Sequence, residues 1–353
     1  MEHIAIDLGS RESQVCVRSA DGALKEEVRV ATRPAVLRRY LSQRPPGRVI
    51  VETGSEAFWV AEIARESGRE VRVVPSALAP SLGVGRRGQK SARKDAAVLS
   101  EASCRVELPS VHIPSVESRH LQAKLGMRDA LVRSRTLLCN VVHGYLRTTG
   151  ERVRSGKTET LVKRVRATLG ERSEALEPLM RSLEGITASV QAMDEEIEEH
   201  AKANAIAHRL QSVPGVGPIT ALRYVSTMDE VSRFPSAATA ASYVGLVPSE
   251  HSSGQTERRG RITKAGSPAT RAVLVQAAWA ALRSKRQTDP MIRWAQRIAR
   301  RRGRKIAAVA LARKLAGILF ALWKNGTRYQ PQRAAQADDE PLAAKENLLP
   351  PRS

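Results

Sequence analysis

His3-Ile4-Ala5-Ile6-Asp7-Leu8-Gly9-Ser10 lies at the start of this chain, and Arg48-Val49-Ile50-Val51-Glu52-Thr53-Gly54 follows further on. Each is a short run rich in β-branched residues, which suit a pleated strand, and each ends on an acid followed by turn residues. Between them, residues 14–18 alternate polar and apolar, Ala20-Asp21-Gly22 reads as a turn, and a third strand is expected near 26–30. Residues 34–43 carry helical spacing in Val36, Leu37, Tyr40 and Leu41, and Pro45-Pro46-Gly47 stops that helix. Beyond Glu52, residues 56–67 read as a helix and 70–74 as a last strand.

Three early strands followed by helix–strand–helix–strand make an α/β sheet with a meander at its start. This is the element order of a ribonuclease H-like fold. In such a sheet the strands ending at Asp7 and Glu52 are neighbours, so both carboxylates project from one edge. Paired carboxylates can hold Mg²⁺, which takes oxygen ligands and keeps several waters. Asp95, on a helix expected over about 93–105, is placed to add a third acid. The plainer reading is that Asp7 shapes the Asp-Leu-Gly-Ser turn and Glu52 caps the helix beginning near Gly54.

Residues 79–94 are rich in Gly and Arg and read as a loop. A Pro-bounded segment from Pro109 to Pro114 leads to a long helix over about 117–147, and 152–157 is a polar break. Leu176, Leu179, Leu183, Ile186, Val190, Met193 and Ile197 then alternate at spacings of three and four, a heptad pattern that suggests a coiled coil. A helix packed antiparallel on 117–147 in the same chain explains the stripe equally well. The acids from Asp194 to Glu199 read as a solvated face. Short helices and Gly turns fill 210–329, and 330–353, rich in Ala, Pro and Gln, reads as disordered. The expected division is 1–108, an α/β domain; 109–208, a long-helix or coiled-coil linker; 209–329, a mostly helical C-terminal domain; and 330–353, a tail.

The 353 residues are 42% hydrophobic, which excludes a disordered chain as a whole. The formal net charge is +22, and its excess is local. Between His251 and Gln330 stand 19 Lys/Arg against only Glu257 and Asp289. A basic excess of that density points to a polyanion, above all nucleic acid. Aromatics are 3%, too few for a surface built on base stacking, so phosphate contacts should dominate. Cys16, Cys104 and Cys139 show no CxxC spacing, which argues against a disulfide framework or zinc ribbon and for a reducing cytoplasm. No apolar run of membrane length is expected, nor a signal peptide.

In the C-terminal domain, Ser212-Val213-Pro214-Gly215-Val216-Gly217-Pro218 sits between two helices. Gly215 and Gly217 permit a tight turn and Pro218 suits a first helical turn, so backbone N–H groups could face a phosphate as in helix-hairpin-helix DNA binders. A plain structural turn is the other reading. Further on, Ser253-Gly254 lies in a polar stretch followed by Arg258, Arg259, Arg261, Lys264 and Arg271. By itself Ser-Gly is a turn. Beside those cations, a serine hydroxyl attacking phosphorus would find phosphate charge neutralised. His251 is a conceivable base, although an exposed loop histidine is the more ordinary reading. Arg300, Arg301, Arg302, Arg304 and Lys305 form a dense run opening a helix with Ile306, Val309, Leu311, Leu315, Ile318 and Leu319, and read as nucleic-acid backbone contacts.

Taken together, Ala5-Ile6-Asp7-Leu8-Gly9, Val51-Glu52-Thr53-Gly54, the Lys90…Asp95-Ala96 helix, Pro214-Gly215-Val216-Gly217-Pro218, Gly245-Leu246-Val247-Pro248…Ser253-Gly254 and Gly260-Arg261-Ile262-Thr263-Lys264-Ala265-Gly266…Arg271 resemble the IS110 family of DEDD transposases, the bridge-RNA-guided recombinases. The resemblance covers about residues 1–325. It implies a RuvC-like N-terminal domain, a coiled-coil linker and a C-terminal serine transposase domain. It also implies Ser253 as nucleophile through a 5′-phosphoserine link, with Asp7, Glu52 and Asp95 as Mg²⁺ ligands supplied by a partner subunit. The implied partners are donor and target DNA, an element-encoded non-coding bridge RNA, and further copies of the chain as a dimer or tetramer. The implied setting is the bacterial cytoplasm, associated with the nucleoid.

One position departs from the family pattern Lys-Thr-Asp-x-x-Asp-Ala. Here it reads Lys90-Ser91-Ala92-Arg93-Lys94-Asp95-Ala96, so Ala92 stands in place of an acid and Arg93 and Lys94 would repel a cation. Two other readings stay open: a RuvC-like metal-dependent nuclease that uses water, and a copy that binds nucleic acid without cutting it.

Overall fold

The computed structural model describes residues 1–78, 81, 92–253, 256–286 and 288–331, with the backbone alone over 251–259. The tail expected over 330–353 and the loop containing Lys90 and Ser91 fall almost wholly outside the described residues. The chain divides into two units, Met1–Ser115 and Val116–Ser353.

The first unit contains β1 (Glu2–Asp7), β2 (Glu12–Arg18), β3 (Leu24–Ala31), α1 (Pro34–Ser42), β4 (Gly47–Glu52), α2 (Ala57–Glu66), β5 (Glu70–Val74) and α3 (Ala92–Arg105). Its sheet has the order β3-β2-β1-β4-β5, with β2 antiparallel to both neighbours and β1, β4 and β5 mutually parallel. Successive strand side chains alternate between faces, and the alternation sorts the sheet into two cores. Ile4, Ile6, Val49 and Val51 face Leu37 and Leu41 of α1 and Val60 and Ile63 of α2. Ala5, Ile50 and Val74 face Leu99 of α3 and Leu108. β1 and β4 are apolar on both faces because helices cover both.

The second unit opens with α4 (Val116–Thr148), α5 (Leu161–Leu169), α6 (Glu177–Ala203), α7 (Ala205–Leu210) and α8 (Pro218–Met228). Along the heptad stripe, Leu176, Leu183, Val190 and Ile197, every seventh residue, are fully buried, while the intervening Leu179, Ile186 and Met193 are only partly so. The buried set is met within the chain. Leu121 and Leu125 share a core with Ile197 and Ala201, and Val142 and Leu146 share one with Met180 and Leu183, so α6 runs antiparallel on α4. The acidic end of α6 is not simply solvated: Asp194 pairs with Arg128, and Glu196 lies 2.6 Å from Lys124.

After α9 (Ala237–Tyr243) the mostly helical unit is interrupted by strands where only short helices and Gly turns were expected. β6 (Pro248–Ser253) and β7 (Thr256–Ile262) form an antiparallel hairpin pairing Ser253 with Thr256. α10 (Pro268–Arg283), α11 (Pro290–Arg302) and α12 (Arg304–Asn325) complete the unit. The basic run spans two helices rather than opening one, because Gly303 at φ 87° breaks it between α11 and α12.

Contrary to expectation, α12 is long and apolar enough to cross a membrane by length and composition. Its packing explains that apolarity. Leu311, Leu315 and Leu319 are fully buried in the core of the unit, and the buried Tyr224 hydroxyl donates to the Ala316 carbonyl at 2.8 Å. Ile306, assigned to the apolar face from sequence, is exposed.

Candidate active site

The last register pair between the parallel strands β1 and β4 is Ile6 with Val51, so Asp7 and Glu52 are the next residues on adjoining strands. Neighbouring strands lie ~4.8 Å apart. By alternation both acids fall on the face that carries Ala5 and Ile50, the face covered by α3.

Two contacts give the direction of α3. His3 Nδ1 lies 2.8 Å from Ser103 Oγ at the start of β1, and Ser100 Oγ lies 3.2 Å from Cys16 Sγ, where Cys16 pairs with Ala5. α3 therefore runs antiparallel to β1. From Ser103 back to Asp95 is a rise of ~12 Å, and from His3 to Asp7 an advance of ~13 Å. The first turn of α3 thus returns to the level of Asp7 and Glu52. Asp95 is only 4% exposed there, and the helix dipole favours a carboxylate at that end.

These are hard oxygen donors of the kind Mg²⁺ takes, and two carboxylates suffice for an ion that keeps its waters. Among the described residues no three His, Cys, Asp or Glu come together closely enough to hold a metal. The fit is therefore a strand-end pair with a helix acid at the same end, not a closed cage. Arg93, which the sequence suggested would repel a cation, donates from Nε to Glu27 Oε2 of β3 at 2.7 Å. Glu27 was missed because an acid on an edge strand carries no motif. Ala92 is exposed at the first position of α3.

In the second unit, Ser253 ends β6, and Arg258, Arg259 and Arg261 lie along β7. Lys264 follows, exposed, in a left-handed conformation at φ 57°. Arg300, Arg301 and Arg302 are exposed in the last turn of α11, where the helix dipole favours cations, and Arg304 and Lys305 are exposed at the start of α12. Gly215 and Gly217 lie in the turn between α7 and α8. A Cβ on Gly215, at φ 86°, would come within 2.2 Å of the Ala277 carbonyl oxygen of α10, so that glycine allows close packing. Gly217 is the N-cap of α8 and has open space around it. Arg271, read from sequence as a nucleic-acid contact, places Nη1 3.2, 2.9 and 3.0 Å from the carbonyl oxygens of Val244, Ala265 and Gly266.

Comparison with known proteins bears on both units. The family model described as Transposase IS116/IS110/IS902 family matches residues 207–293, and a transposase model of the IS110 DEDD type matches residues 4–151. A probable family 20 transposase of Pseudomonas aeruginosa is 33% identical over 94% of this chain and 99% of its own length. The transposase for insertion sequence element IS1111A of Coxiella burnetii is 33% identical over 69% of each chain. The transposase for element IS1328 of Yersinia enterocolitica is 27% identical over 92% of this chain and 97% of its own. On these matches, which span both units, this chain belongs to the IS110 family of insertion-sequence transposases, enzymes that cleave DNA and transfer its strands.

Proposed function

We propose that this transposase cuts DNA with Ser253 as nucleophile and with Asp7, Glu52 and Asp95 as the acids that hold Mg²⁺ at the phosphate. The observation that carries the reading is the convergence of two strand ends and the start of α3 on one end of the sheet.

In this scheme Ser253 Oγ attacks the scissile phosphorus and the P–O3′ bond breaks. The serine gives up a proton, the departing 3′ oxygen gains one, and a 5′-phosphoserine link remains. Strand transfer is the reverse step, with a different 3′-hydroxyl attacking that link. Arg258, Arg259, Arg261 and Lys264 offset the charge gathering on the phosphate. Mg²⁺ held by the carboxylates would supply further positive charge to the phosphate oxygens. The turn at Gly217, with Arg300, Arg301, Arg302, Arg304 and Lys305, holds the nucleic-acid backbone without reading its sequence. Sequence choice falls to an element-encoded bridge RNA. The acids and the serine that act together come from different copies in a dimer or tetramer.

The test is to combine the protein with donor and target duplexes, RNA transcribed from the element's non-coding flank, and Mg²⁺. The expected product is a denaturation-resistant protein–DNA adduct that is absent in Ser253→Ala. Free ends without an adduct would replace this reading with a water-using nuclease, and intact but bound DNA would indicate a copy that binds without cutting.

A further inference from the structure

The segments from which the β6–β7 hairpin rises are interlocked. A Cβ on Gly245, at φ 71°, would lie 2.0 Å from the Ala265 carbonyl oxygen, and one on Gly266, at φ 78°, 2.0 Å from the Tyr243 carbonyl oxygen. The backbones therefore pass in direct contact. Lys264 N–H donates to the Gly245 carbonyl at 3.1 Å and Thr263 N–H to the Val247 carbonyl at 2.9 Å. Arg271, on the first turn of α10, reaches both segments: one guanidinium nitrogen meets Val244 on the incoming side and Ala265 and Gly266 on the outgoing side. Those three carbonyl dipoles converge, and a cation is what makes their convergence favourable. A guanidinium that already serves them has less freedom to meet a phosphate.

We propose that Arg271 is a positioning residue for Ser253, clamping the hairpin root and so setting where the serine is presented. This rests on the reading of Ser253 as nucleophile. The leverage is geometric. The six residues of β6 reach about 20 Å from the root to Ser253 at ~3.3 Å each. A root tilt of about 5° then moves the tip by ~2 Å on that lever. Misplacing a reacting atom by about 1 Å costs roughly 10²-fold in rate. A lysine ammonium ends one bond short of Nη1 on a flexible stem, so it cannot keep all three contacts with the root in its present place.

The experiment compares wild type, Arg271→Lys, Arg271→Ala and Ser253→Ala with the same duplexes, RNA and Mg²⁺. It reads melting temperature, DNA affinity with its salt dependence, and the rate of adduct formation at saturating DNA. Arg271→Lys should keep its melting temperature, affinity and salt slope while the saturated rate falls about 10²-fold. Amide exchange at Thr263 and Lys264 should accelerate in the same variant even without DNA. Should Arg271→Ala fail to fold, the lysine variant carries the test. A saturated rate in Arg271→Lys equal to wild type overturns the proposal, as does a salt slope reduced by about 1 with an unchanged saturated rate, the signature of a phosphate contact. Persistence of the adduct in Ser253→Ala would instead remove the serine reading itself, and the positioning role with it.

Discussion

His3 Nδ1 and Ser103 Oγ, 100 residues apart in sequence, stand 2.8 Å apart, and both residues are buried where α3 ends over the start of β1. The contact keeps α3 antiparallel to β1 and so returns Asp95 to the end where Asp7 and Glu52 lie. Burial, with Arg48 nearby, holds the His3 pKa below its usual value. The neutral ring is thus favoured in the fold while the unfolded chain binds the proton more readily. Stability from His3 is complete above the unfolded pKa of about 6.5 and is lost as pH falls toward and through the lowered folded pKa. Denaturant unfolding at about pH 7.5 and about pH 5.5 should show a smaller loss in His3→Asn than in wild type. Equal losses would mean that His3 does not titrate between the two states.

Asp7→Asn and Glu52→Gln should each leave DNA affinity within about twofold while cutting cleavage by more than the roughly 10–100-fold typical of residues that only support a metal ligand. Each amide keeps the size of the acid and removes its charge, so the fold should persist. The check is Mg²⁺ titration by calorimetry beside a strand-cleavage assay. Unchanged Mg²⁺ affinity in both variants would return these acids to turn-shaping and capping.

Ala92→Asp should raise Mg²⁺ affinity and the Mg²⁺-dependent gain in melting temperature. The new acid stands three residues before Asp95 on one helix face, at an exposed position. Without metal two effects oppose: the helix dipole favours an acid there by about 0.3–1 kcal/mol, and repulsion from Asp95 offsets part of it. The metal-free melting temperature should therefore barely move while the increment on adding Mg²⁺ grows. An unchanged increment would show that the missing family acid does not matter to this site.

The N-terminal sheet was legible because its strands are apolar runs or polar–apolar alternations bounded by turns, and the structure places each within two residues of its expected span. Asp7 and Glu52 stand out in the sequence for the same reason, since each closes such a run, whereas Asp95 lies in the first turn of a helix. The β6–β7 hairpin was not, because Ser249 to Ser253 and Thr256 to Arg261 are almost wholly polar and give no alternation to read. For Arg271 the sequence shows a charge but not the three carbonyls its guanidinium meets. Gly215 was read as a phosphate-facing glycine, and its contact with α10 lies too far along the chain for local spacing to reveal. The heptads named a buried seam correctly, but nothing local in them says whether the other half is α4 or a second copy.

Arg223 of α8 reaches Asp129 of α4 at 2.5 Å, with side chains 5% and 28% exposed. Burial pulls the guanidinium pKa down while Asp129 pulls it up, and Arg223 Nε is buried without a hydrogen-bond partner. Desolvation on this scale makes the pair a weak source of net stability but costly to break, because removing one partner strands the other charge. Asp129→Ala should therefore destabilise by about 3 kcal/mol, the low end for a broken buried pair because Asp129 is partly exposed. Arg223→Met in the Asp129→Ala background should recover most of that loss, since it removes the stranded cation and keeps an unbranched apolar side chain in its place. A double-mutant cycle in urea measures this coupling. Additive losses would show that the pair interacts no more strongly than an exposed ion pair, and that α4 and α8 are held together by the core around Leu125 and Tyr224 and by the Gln122 side-chain amide donating to the Ser226 carbonyl.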